Sequence, residues 1–245
     1  MQQKKIDSTQ KIPLCCYSQL SSTNLTARSL VAQGFNLPFA VRADEQTAGR
    51  GQWGRVWQSD RGGLYLSLAV ALDLTLEEVF YLTLISSWGV AEIFNRKAIP
   101  VKLKWPNDLL LDGLKLGGIK IETGSTQTKV TQVIIGIGIN WQNETPLNGI
   151  NLVAYPSIES LDQLTEMTLD GLVLGIETYS SLQMKGSLPF YLKYCCSIGK
   201  AVEINGQMAT VVGVDEKGKL VVLLSSPGAR CEISCSPGMI SLGYY

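Results

Sequence analysis

With 245 residues, 45% of them hydrophobic and 17% charged, the chain can bury one large domain, or a medium domain with a small companion. Lys and Arg balance Asp and Glu at 21 each, which removes the electrostatic case for broad binding to nucleic acid or a membrane surface. There is no histidine, so Ser–His and Cys–His catalytic schemes are excluded, and any chemistry must run on Lys, Arg, Asp, Asn and bound metal.

Residues 22–33 read as a short helix, because Ser22, Thr23 and Asn24 are N-cap types and Gly34 is a typical stop. A strand over 39–42 leads into a long glycine-rich loop over 43–63. Along 64–72, Leu64, Leu66, Leu68, Val70 and Leu72 alternate with Tyr65, Ser67, Ala69 and Ala71, predicting a strand with one packed and one roomier face. Thr75 with Glu78 is a capping box that opens a helix over 76–95. A strand over 101–105 is ended by Pro106, and Asp112-Gly113 is a hairpin signal joining 109–111 to 114–123. In a strand over 133–140, Val133, Ile135, Ile137 and Ile139 share one face. Gly136 and Gly138 leave a gap on the other, between Ile134 and Asn140. Residues 161–192 are helical in pattern, interrupted near Gly171 and again over 186–189.

Beyond Ser197 the pattern changes. Short strands over 201–205, 207–214 and 219–225 are joined by Asn205-Gly206 and a turn over 215–218, and a last strand covers 239–242. The expected architecture is a mixed α/β domain over 1–196 and a small all-β barrel over 197–245. No apolar run reaches the roughly 18 residues that span a bilayer. Residues 1–11 are polar, unlike a secretory signal, so a cytoplasmic location is expected. Six cysteines occur as Cys15-Cys16, Cys195-Cys196, Cys231 and Cys235, without a CxxC. Reduced, structural cysteines and no dedicated metal site follow.

Three segments carry candidate chemistry. The loop over 47–55 interleaves Gly49, Gly51 and Gly54 with Arg50 and Arg55, combining close backbone approach with guanidinium forks for phosphate. It lacks the GxxxxGK[ST] pattern of the common phosphate loop, and a solvated surface loop is the other reading. In Lys104-Trp105-Pro106-Asn107-Asp108, the strand stops where ligands commonly lie in α/β sheets. Trp105 belongs with Val101 and Leu103 on the core face, while Lys104 points the other way, beside Asp108. Lys115 leaves the hairpin turn next to Gly117-Gly118, and suits a carboxylate or an α-phosphate unless it is an ordinary edge lysine.

Ser22-Thr23-Asn24, GRGxxGR over 49–55, KWPND over 104–108, KLGGI over 115–119 and GIGIN over 136–140 occur in this order. Together they resemble the biotin protein ligases over residues 15–195, and the β tail resembles that family's C-terminal barrel. The resemblance implies an α+β fold: a class II synthetase-like catalytic domain, its mixed sheet flanked by helices, plus a small SH3-like β-barrel. It implies biotin and Mg²⁺-ATP as substrates, a biotinyl-5'-AMP intermediate, and transfer to a lysine of a biotin carboxyl carrier protein of acetyl-CoA carboxylase. Ser22, Thr23, Asn24, Gln46, Gly49, Arg50, Trp57, Lys115 and Gly118 would contact biotin. Arg50, Arg55, Lys104, Asn107 and Asn140 would contact ATP. Lys115, Arg50, Arg55 and Asp108 would be catalytic, Asp108 toward the incoming lysine.

Two departures stand out. Members with GRGRRGR have basic residues where this chain has Gln52 and Trp53, which bears on retention of the adenylate. Some members begin with a DNA-binding winged helix, for which too few residues precede the catalytic segment here, so neither repressor function nor a nucleic-acid partner is expected. A homodimer through a sheet edge stays open. The rival readings are a lipoate–protein ligase and a non-catalytic binder or adaptor on the same scaffold.

Overall fold

In chain order the elements are β1 (Leu14–Tyr17), α1 (Thr23–Ala32), β2 (Phe39–Ala43), β3 (Leu64–Leu74), α2 (Leu76–Arg96), β4 (Lys102–Lys104), β5 (Asp108–Leu111), β6 (Leu114–Ser125), β7 (Val130–Ile139) and α3 (Leu161–Tyr194). Then follow β8 (Ala201–Ile204), β9 (Gln207–Val214), β10 (Leu220–Ser226) and β11 (Ala229–Cys235). The computed structural model describes residues 11–125, 130–204, 206–226, 229–240 and 242–243; the N-terminal ten residues and Asn205 lie outside them.

The first seven strands form one mixed sheet, in the order β1-β2-β3-β7-β6-β5-β4. Only β1 and β2 run parallel within it. The leucine face of β3 and the Val133, Ile135, Ile137, Ile139 face of β7 pack against α2 and α3 in the main core. On the opposite face, α1 covers Phe39, Val41, Ala69 and Ile134 through Ala27, forming a second, smaller core. The face of β3 expected to be roomier is therefore buried too, Ser67 and Ala69 included.

The capping box of α2 is present, with Thr75 N donating to Glu78 Oε2 (2.6 Å) and Glu78 N to Thr75 Oγ1 (3.3 Å). Gly171 does not interrupt α3. A Cβ there would lie 2.6 Å from Val90 Cα, and one at Gly89 2.1 Å from Gly171 O, so α2 and α3 meet backbone to backbone. The break in α3 falls at Gln183 (φ 56, ψ −170), ahead of the expected 186–189. Asp112 (φ 50) and Gly113 (φ 78) form the hairpin turn as the pattern required. Past the stop at Pro106 the chain turns at once, and Asp108 opens β5 opposite Lys104.

The C-terminal strands form a separate antiparallel sheet, β11-β10-β9-β8. The strand expected over 239–242 is absent from its described residues, with Met239 and Ile240 in a bend; β11 supplies the fourth strand instead. The chain reaches this sheet along the edge of β4, where Cys196 N donates to Leu103 O (2.8 Å). That contact covers an otherwise open strand edge. All six cysteines are free thiols.

Candidate active site

A cleft of about 1330 Å³ opens on the α1 side of the large sheet. Its walls come from the start of α1, the arginine loop, the β4–β6 hairpins, the glycine face of β7, the loop after β7 and the chain beyond β11.

One end is polar. Ser22 stands at the N-cap of α1, but its side chain makes no capping bond. Gln46 caps the helix in its place: Thr23 N (2.9 Å) and Thr23 Oγ1 (3.2 Å) both donate to Gln46 Oε1. Gln46 Nε2 in turn donates to Ser59 Oγ (2.9 Å). Below them the fully buried Ser67 hydroxyl donates to Asn24 Oδ1 (2.6 Å), its oxygen lying 2.7 Å from Thr23 Oγ1. Such a chain of satisfied groups holds its members in fixed orientations.

The gap over the β7 glycines is filled by the protein itself. A Cβ at Gly136 would lie 2.2 Å from Asn24 Oδ1, and one at Gly138 would lie 2.4 Å from Trp57 Nε1. The Trp57 N–H is buried without an acceptor among the described residues, a donor that a ligand could satisfy. Gly49 lies beneath the loop and does not line the cleft. A Cβ there would meet Ser59 Oγ at 2.4 Å and Trp57 O at 2.5 Å, so Gly49 shapes the fold-back that presents Trp57. The loop tip is a short 3-10 turn, Gln52–Gly54, with Trp53 in the left-handed region (φ 58, ψ 28). Arg50 and Arg55 are exposed on its two arms and line the cleft.

Past Trp57 the site becomes charged. Asp108 Oδ1 pairs with Lys115 Nζ at 2.7 Å, and Asp108 Oδ2 lies 3.8 Å from Lys104 Nζ. Lys115 Nζ also stands 5.3 Å from the Trp57 ring centre, in cation–π range. Burial of Lys104 pulls its pKa below that of ordinary lysine. Asp108 opposes the shift, and the positive charges of Lys115 and Arg55 add to it. One carboxylate between two ammoniums, with two guanidiniums nearby, leaves a surplus of positive charge suited to phosphate.

Other expected residues serve the frame as well as the lining. Asn107 Nδ2 donates to Ile119 O (2.8 Å). Asn140 Nδ2 donates to Lys115 O (3.3 Å) and Ile150 O (3.2 Å), and its oxygen accepts from Asn143 Nδ2 (3.1 Å). Gly118 lines the cleft beside Asp108. Tyr65, which the alternation put on the roomier face, is buried outside the cleft, its hydroxyl donating to Asp60 O (2.6 Å).

Several lining residues escaped the sequence reading. The buried Ser67 beneath the polar end escaped it as well. Lys120, Glu144 and Leu147 carried no signal, and neither did Pro237, Gly238, Met239 and Ile240 from the segment after β11. No three His, Cys, Asp or Glu side chains gather to hold a metal among the described residues.

Residues 16–140 match the biotin/lipoate A/B protein ligase family. The bifunctional ligase/repressor BirA of Bacillus subtilis (strain 168) is 34% identical over 225 residues, covering 85% of this chain and 69% of its own length. The biotin–[acetyl-CoA-carboxylase] ligase of Paracoccus denitrificans is 29% identical over 144 residues, 58% of this chain and 60% of its own. The structure of the biotin protein ligase from Aquifex aeolicus in complex with biotin and ATP aligns with a TM-score of 0.70 at 29% identity, over 95% of this chain and 99% of that one. On that family match and that relative, the chain belongs to the biotin/lipoate A/B protein ligase family.

Proposed function

We propose that the chain is an ATP-dependent biotin–protein ligase, forming biotinyl-5'-AMP and passing biotin to a lysine of a biotin carboxyl carrier protein. The observation that carries this reading is the order of groups along one strand face. Asn24 covers Gly136, Trp57 covers Gly138, and Asn140 lies beyond them beside the Lys104–Asp108–Lys115 cluster. At about 3.3 Å per residue the strand from 136 to 140 spans about 13 Å, room for a polar ring, an apolar tail and then a phosphate.

In this reading Ser22, Thr23, Asn24 and Gln46 receive the ureido ring. The indole of Trp57 packs along the tail. Lys115 holds the biotin carboxylate against the α-phosphate, while Arg50 and Arg55 hold phosphate oxygens; Lys104, Asn107 and Asn140 frame the nucleotide. A carboxylate oxygen attacks the α-phosphorus and the bond to pyrophosphate breaks. Fixed positive charge aimed at oxygens whose charge grows is the largest contribution such a site can make. The carrier ε-amine then attacks the acyl carbon, AMP leaves, and Asp108 takes the proton shed by the nitrogen. Mg²⁺ enters as part of the nucleotide substrate, carried by its phosphates, and a cytoplasmic location belongs to the proposal.

The polar wall separates this reading from a lipoate ligase. A dithiolane ring has no N–H or carbonyl to meet those donors and acceptors, and burying them unpaired is costly. ATP–pyrophosphate exchange should therefore depend on biotin and not on lipoate or octanoate. Lys115→Ala should lower the exchange rate by at least about a hundredfold while leaving the melting transition in place. Exchange with lipoate, or normal exchange in the variant, would overturn the assignment.

A further inference from the structure

Trp105, a core residue by its alternation, sits between Lys104 and Asp108 and sends both of its N–H groups out of the catalytic sheet. The backbone N–H donates to Ser197 Oγ (3.0 Å) and the indole N–H to Gly218 O (2.8 Å), all of it buried. Gly218 closes the β9–β10 turn at φ +76, and a Cβ there would lie 2.8 Å from Leu84 and 3.1 Å from Phe80 of α2. The Phe80 ring meets the indole edge-on, with centres 6.3 Å apart. Asp215 holds the turn in shape, its Oδ1 accepting from Lys217 N and Lys219 N at 2.9 Å each. Leu103, on the other side of Lys104, is fastened to Cys196 by the bond already described. Both neighbours of Lys104 are thus anchored to the C-terminal part of the chain.

We infer that Trp105 is a positioning residue, which ties the Lys104-to-Asp108 segment to the C-terminal sheet and so sets where Lys104 and Asp108 stand against Lys115 of the neighbouring strand. The inference rests on the ligase reading. Lys115 reaches Asp108 from a different hairpin arm, so a small shift of the segment changes the 2.7 Å Lys115–Asp108 separation, while Lys104, 3.8 Å from Asp108, travels with it. A displacement of that kind acts on the reacting geometry and leaves the biotin end, built on α1 and Gln46, untouched.

The test is Trp105→Phe, which deletes the indole donor and keeps an aromatic ring in the core, alongside Gly218→Ala, which strains and moves the acceptor. With biotin-dependent exchange as the readout, each single variant should lose about tenfold to a hundredfold in kcat, the loss that misplacement of a reacting group brings. The KM and calorimetric Kd for biotin should stay within about twofold. The double variant should lose less than the product of the two single losses, since both break the bond between the indole and Gly218. Unchanged kcat in the singles, a matching rise in biotin Kd, or full additivity would each overturn the inference. If Trp105→Phe fails to fold, Ser197→Ala removes the other acceptor and is judged by the same split of kcat from KM. A wild-type protein without biotin-dependent exchange would sink the ligase reading itself, an outcome distinct from a wild-type level of exchange in the variants.

Discussion

A methyl group at Gly138 would stand 2.4 Å from the Trp57 indole nitrogen, and one at Gly136 would stand 2.2 Å from the Asn24 amide oxygen. Neither neighbour can stay where it is if the glycine is replaced. Gly138→Ala should push Trp57 off the strand and away from Lys115, raising the biotin Kd by about tenfold, roughly 1.4 kcal/mol. The fold should survive, because that face is not packed against α2 or α3. Calorimetric titration with biotin checks it, and an unchanged Kd would mean that Trp57 does not bear on the tail. The two glycines were legible in the sequence because strand alternation is local. The side chains that cover them were not, since Asn24 and Trp57 reach β7 through tertiary folding. Gln46 shows the same limit: it lines the cleft, but its service as the cap of α1 depends on a loop returning to the helix start.

Among the elements, α2 was the most legible, since its start is fixed by two residues three apart. Glu78 also accepts from the Tyr179 hydroxyl on α3 (2.7 Å), so the cap doubles as a tie between the helices. Burial pushes the Glu78 carboxyl up, but the bonds from Thr75 N–H, the Tyr179 hydroxyl and Thr75 Oγ1 outweigh it and hold it below its ordinary 4.5. A depressed folded pKa contributes stability above the unfolded value, and that contribution fades as pH falls through the folded one. Glu78→Gln should therefore cost about 1 kcal/mol at neutral pH and progressively less in acid, as judged by urea unfolding across the range. A constant difference at all pH values would show that the carboxylate charge is not what matters. The elements β1 and β11 were missed for a physical reason. Each is short, with mixed exposure, so its register comes from a partner strand and not from its own period. Gly171 misled for the opposite reason: glycine weakens a helix locally, yet here its missing side chain lets α2 approach.

At the scale of the molecule, burial raises the tyrosines at 65, 81 and 179 above the ordinary 10.0, Tyr81 to about 12. A proton held more tightly in the folded state stabilises fully below the unfolded pKa, and the gain disappears as pH climbs through the folded one. Lys104 runs the other way, its lowered pKa favouring the fold as pH rises, but it is one group against these three and the fully buried Tyr191, which burial also raises. The melting temperature should fall steeply above about pH 10, and in an ultraviolet titration these phenols should ionise only as the chain unfolds. Titration of all nine tyrosines near their ordinary value in the folded protein would contradict the burial described. The order of a large mixed unit and a small β unit was readable from the change of period beyond Ser197. That residues after β11 would wall the cleft was not readable, because contact between Trp53 and Gly238 leaves no trace in either local pattern.

That late-arriving wall bears on how the protein is made. Translation releases the polar pocket, the arginine loop and the lysine pair in turn, and units folded early wait for those still to come. A growing chain that ends before Pro237 holds its charged groups over a cleft open on one side. Biotinyl-adenylate is a reactive anhydride that acylates any amine it reaches, including those of the ribosome. A wall made after the pocket, the arginine loop and the lysines delays a sheltered activation site until residues 237–240 have been synthesised.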